Sequence, residues 1–117
     1  MTIDFNAVVE NRINSIRSVL TAKAKEYAAA DDRFHNFNVA ARIAGTTPEG
    51  ALMGMRLKHE VSCMDLVEIA ASRPGDLTEA LIEEKLGDNI NYLILLEGLL
   101  KDRLDGFLEI QEALNDK

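Results

Sequence analysis

One cysteine, two prolines, two histidines and no tryptophan occur in 117 residues, and each scarcity closes a line of explanation. Cys63 has no second cysteine for an intramolecular disulfide, and with His35 and His59 it falls short of a usual structural zinc set. A reducing compartment fits, and the cytoplasm is the expected location. The longest apolar run, "YLILL", is far too short to span a bilayer. The opening "MTIDFNAVVENR" places acid early and lacks a basic start before an apolar core, so no secretory signal is read. Twenty acidic residues stand against 13 basic ones, a formal charge of -7, and no Lys/Arg run can track phosphates. A nucleic-acid polymer and an anionic membrane surface are therefore not expected partners.

What is present is 47% apolar and 28% charged residues, a balance that buries one core. Strand-like alternation is nearly absent, and Pro48 and Pro74 sit in the turn-like "GTTPEG" and "SRPGD". After Asp4, a candidate N-cap, apolar residues from Phe5 to Ala24 recur at helical spacing, with Glu10, Arg12, Arg17 and Lys25 on the outer face. "AAADDRFHNFNVAARIAG" reads as a polar, aromatic-rich bend leading to a short helix ended by Gly45. Thr47 and Pro48 start a third helix reaching about Arg73. Asp76 with Glu79 resembles a capping box for a fourth, with Gly106 a break before "FLEIQEALN". The expectation is a single all-α domain over residues 1–117, a four- to five-helix bundle frayed at 1–3 and 115–117.

The fourth helix is apolar on nearly every side from Ile90 to Leu100, with Gly98 allowing close approach. Such a helix must be surrounded. Either the terminal segment folds back over it or a second chain covers it, and a homo-oligomer, dimer or higher, is expected.

Polar residues supply the candidate chemistry. In "EEKLGDNINYLILL", Glu84, Asp88 and Asn91 fall on one stripe, and Glu84 and Asp88 at i, i+4 have the spacing of carboxylates sharing a divalent cation. In "MRLKHEVSCMDLVE", Arg56, His59 and Cys63 share a stripe with Glu60 beside it. Arg56 and Glu60 are spaced as an ion pair. A His59–Cys63 nucleophile pair lacks an orienting third group, and Met53, Met55 and Met64 read as adaptable core filling. In "DDRFHNF", Arg33, His35 and Asn36 alternate with Phe34 and Phe37. The segment suits a nucleobase or phosphate, or equally a solvated bend stapled to the core by its phenylalanines.

The order "K-x-K-E-Y … HNF … RLKHEVSCMDLV … LTEALIEEKLGDNINYLILL", covering roughly Lys23 to Lys101, resembles the phage-associated nucleotide modification associated domain, type one. That family is itself similar to the all-α nucleoside triphosphate pyrophosphohydrolases of the MazG and dimeric dUTPase kind. In those enzymes an E-x-x-E and an E-x-x-D on successive helices bind magnesium. Here Glu60 and Asp88 match, but Cys63 and Lys85 replace the other two carboxylates. Losing two anions and gaining a cation disfavours a hard divalent ion.

The resemblance therefore implies a MazG-like, viral-type protein of the host cytoplasm that binds a nucleotide without cutting it, sequestering a nucleotide-derived signal in an anti-defence role, with no cofactor. Arg33, His35, Asn36, Lys58, His59 and Lys85 would meet phosphate or base, and Asp88, Asn91 and Tyr92 would read sugar or base. The alternatives are a magnesium-dependent pyrophosphohydrolase, with Glu60, Glu84 and Asp88 as metal ligands, and a purely structural or protein-interaction bundle.

Overall fold

The computed structural model describes residues 2–22 and 33–116, which form four α-helices with no β-strand among them. Asp4 accepts the Ala7 N–H at 3.3 Å and so caps α1 (Phe5–Arg17), satisfying one of the amides that a helix start leaves free. The α-helical period read through Ala24 ends earlier. From Ser18 to Ala22 the chain widens into a π-helical turn, where the Thr21 hydroxyl donates to the Arg17 carbonyl. A hydroxyl bonded back to the preceding turn competes with the backbone ladder there. Residues 23–32, which include the "K-x-K-E-Y" motif and both aspartates of "DDRFHNF", lie outside the described residues.

Helix α2 (His35–Ala44) ends at Gly45, whose φ of +67° is the left-handed cap conformation that favours glycine. Thr47 caps α3 (Pro48–Ser72) by accepting the Gly50 N–H at 3.1 Å, and Pro48 fills the first position, where no amide partner is needed. The start of α4 (Glu79–Asn115) differs from the capping box read at Asp76. Asp76 lies in a 3-10 turn (Pro74–Asp76) and pairs with Arg73 at 3.2 Å. Thr78 is the cap, accepting the Leu81 N–H at 3.0 Å. Nor does Gly106 break the helix, since an interior glycine costs only about 1 kcal/mol and α4 runs on to Asn115. The terminal segment is thus the end of α4 and does not fold back over it.

Packing is bundle-like. Glu49 pairs with Arg103, Arg56 with Asn89, and Cys63 with the Lys85 carbonyl, so α3 and α4 run antiparallel. Helix α2 packs on α3, and α1 packs on α4. The core is small: Phe37, Leu52 and Leu99 are buried together, with Phe34, Tyr92, Leu95 and Leu96 against them. A Cβ at Gly98 would stand 3.0 Å from the Phe34 ring, so the close approach expected at this glycine is made by an aromatic of the "RFHNF" segment. Both phenylalanines staple that segment to the core.

The chain is elongated, 65 Å by 30 Å by 29 Å. Its radius of gyration is 18.2 Å, where a compact chain of this length has about 13 Å. No described helix is long and apolar enough to cross a membrane.

Candidate functional site

Helix α4 packs against α3 on one side and against α1 on another, and its step of about 100° per residue divides its polar side chains between them. Two polar sites result, on different sides of one helix. Toward α3, Arg56 Nη1 donates to Glu60 Oε2 at 2.7 Å and to Asn89 Oδ1 at 2.8 Å. The Asn89 amide donates to Glu60 Oε2 at 3.1 Å and to Cys63 Sγ at 3.6 Å, while the Cys63 thiol points to the Lys85 carbonyl at 3.7 Å. Hydrogen bonding from Arg56 first, then from Asn89, holds the Glu60 carboxyl below its usual range.

Beside this cluster His59 stacks obliquely on Tyr92, ring centres 4.7 Å apart, and its Nδ1 lies 3.8 Å from Asp88 Oδ2. Tyr92 and Phe37 meet edge to face, ring centres 6.0 Å apart. His59, Asp88 and Tyr92 are therefore neighbours.

Toward α1 lies an open groove of about 330 Å³, floored by Gly87 and lined by Glu84, Asp88 and Asn91 of α4 and by Arg12, Ser15 and Val19 opposite. The stripe Glu84, Asp88, Asn91 is thus one wall of a groove. Arg12, read as an outer-face charge, instead reaches across to α4, its Nη2 donating to the Glu83 carbonyl at 3.2 Å. Glycine at 87 makes room for it, since a Cβ there would be 2.7 Å from Arg12 Nη1. Asn91 Oδ1 is shut off from solvent and has no hydrogen-bond partner. An acceptor in that condition costs about 1–3 kcal/mol unless something donates to it.

The nine expected contact residues do not converge on one pocket. Asp88 and Asn91 line the groove, with His59 and Tyr92 adjoining Asp88. Lys85 turns toward Glu84 at 3.7 Å. Lys58 is exposed on α3, and Arg33, His35 and Asn36 are exposed at the start of α2.

The metal set fares similarly. Among the described residues no three His, Cys, Asp or Glu side chains are grouped to hold a metal ion. Glu60 bonds to Asn89, whereas Glu84 lies about 140° further around the α4 axis, and Lys85 partly neutralises Glu84. A magnesium ion does not fit this donor set, because Glu60 already answers to a guanidinium.

Asn89, Arg12 and Gly87 were not legible as site residues. The sequence signal for Asn89 is a lone amide on the α3-facing side of α4, four residues after Lys85. For Arg12 no signal exists in the sequence, because its direction depends on how α1 is laid against α4.

Comparison with protein-family models, with curated proteins and with solved structures finds no match to this chain. The class that the fold defines is an all-α protein of bundle-like packing, with a polar seam between its two long helices and an open groove on the opposite side.

Proposed function

We propose that the chain is a non-catalytic binding protein for a nucleotide or nucleotide-derived small molecule, working as a homo-oligomer in the cytoplasm of an infected cell and sequestering its ligand. The observation that carries this reading is the groove between α1 and α4, whose wall holds Glu84, Asp88 and Asn91 with Arg12 opposite. Turned into the groove, the Asn91 amide can accept a hydrogen bond of the kind a nucleobase amine or imide supplies. Glu84 and Asp88 accept from ribose hydroxyls, and the Arg12 guanidinium lying over Gly87 suits a phosphate. A volume of about 330 Å³ is at the small end for ligand sites and matches a nucleoside with its phosphates in solvent. The MazG-like resemblance supports the same ligand class, and the commitment of Glu60 to Arg56 and Asn89 argues for binding over magnesium-dependent cleavage.

Calorimetry against nucleoside mono-, di- and triphosphates, cyclic nucleotides and NAD-derived signals tests it. The expected result is saturable binding of at least one, recovery of that ligand intact, and loss of binding in Asn91→Leu with the melting temperature kept. No binding across the panel overturns the reading. Pyrophosphate release that stops in EDTA and in Asp88→Ala replaces it with hydrolysis.

A further inference from the structure

The C-terminal third of α4 is a long amphipathic helix with nothing of the described chain against its apolar side. The last tie to α3 is the two-pronged pair of Arg103 with Glu49, at 2.8 Å and 3.2 Å, and Glu49 lies in the first turn of α3. Beyond Arg103, residues 104–115 continue as helix for roughly 18 Å. Leu104, Phe107, Leu108, Ile110 and Leu114 there are all more than half exposed. An isolated helix this short is marginal in water without tertiary cover.

We infer that this projecting end of α4 docks on the α3–α4 body of a second copy of the chain, in an antiparallel two-fold dimer. This deepens the homo-oligomer reading above by naming the surface, and does not depend on the ligand.

Three features select the occupant and its direction. Exposed apolar residues recur every seven residues along α4, at Leu86, Leu93, Leu100, Phe107 and Leu114, so one stripe runs from the body into the tail. A self-matching stripe of this kind makes an isologous contact.

The area to be covered is the second feature. The chain exposes 8931 Å², where a compact chain of 12.9 kDa exposes about 6,300 Å². The excess, roughly 2,600 Å² over the whole chain, is large enough to contain the ~1,000–2,500 Å² that one protomer contributes to an obligate interface. A partner needed at that scale by every copy is most simply another copy.

The third is the width of the bare face. Its five residues span about 160° of the helix surface, too broad for a single partner helix. Two tails side by side in parallel offer each other one helix. An antiparallel docking lays each tail along the partner's body, where α3 and α4 lie side by side and Leu93, Ile94 and Leu100 are exposed.

Light scattering and sedimentation equilibrium should find a dimer, or a multiple of it, at micromolar concentration. Phe107→Ala should raise the dissociation constant about thirty-fold or more, and Leu104→Glu with Phe107→Glu should leave a monomer. A spin label on Glu112→Cys, off the apolar face of the tail, reads direction in a Cys63→Ser background first shown to dimerise as the wild type does. Antiparallel docking puts the two labels about 25 Å or more apart along the helix, and parallel docking within about 15 Å. A monomeric wild type overturns both this inference and the homo-oligomer reading. A dimer insensitive to the tail variants overturns the tail docking alone, and close labels overturn the direction.

Discussion

The two ends of α4 make the useful contrast. From Glu79 to Leu99 the helix is held on two sides, by the Arg56–Glu60–Asn89–Cys63 network toward α3 and by Arg12 across Gly87 toward α1. From Leu100 to Asn115 the same unbroken helix has comparable apolar content and is tied down by Arg103 alone. Hydrophobicity is not what separates the halves. The first half meets partners supplied by its own chain over most of its surface, leaving Leu86, Leu93 and Ile94 partly bare, and the second presents its leucines to solvent. A small core therefore coexists with a large apolar surface, and stability in the isolated chain is concentrated where Phe37, Leu52 and Leu99 meet.

The contrast can be broken first at that core. Leu52 is fully buried, so Leu52→Ala should cost about 2–5 kcal/mol, read as a shift of the denaturation midpoint. The matching Leu108→Ala should leave the isolated protomer's stability nearly unchanged and act only through association. If the two variants destabilise equally under monomeric conditions, the halves are not distinct.

The polar seam is the next place to press. Arg56→Ala takes the shared donor from Glu60 and leaves the half-buried Asn89 Oδ1 without its partner, an expected loss for that amide oxygen of about 1–3 kcal/mol by chemical denaturation. Such a loss far exceeds that for Lys101→Ala, whose 2.7 Å pair with Glu97 is exposed at both ends and screened by solvent.

Acid sharpens the same point with a smaller effect. The folded pKa of Glu60 lies below its ordinary 4.5, so its contribution is present above that value and is lost as pH falls through the depressed folded pKa. Thermal melts from pH 7 downward should show the wild type losing stability below about 4.5 more steeply than Glu60→Gln. Parallel curves would deny Glu60 its role in the seam.

How much of this was legible in the sequence differs by feature. Local rules are answered within a few residues, and so the cap at Thr47 with Pro48, the glycine stop at Gly45 and the Arg56–Glu60 pair stand where the sequence puts them. Asp76 misled because two caps compete within three residues. Arg73 draws Asp76 into a turn, and Thr78 is left to accept the Leu81 amide in the first turn of α4. Gly106 misled because a single glycine is a weak breaker inside a long helix.

The candidate site was half visible. Glu84, Asp88 and Asn91 share a face by periodicity alone, and they do line one groove. The residues opposite them, Arg12 and Ser15, depend on how α1 lies against α4.

By itself, then, the sequence determined the helical class, most of the helix ends and the stripes along each helix, because spacing and capping act over one or two turns. Only the tertiary structure decided that Glu60 belongs to Arg56 and Asn89, that Arg12 crosses over Gly87, and that α4 outruns α3. Those outcomes depend on the register between helices, which is set by contacts between residues far apart in the chain.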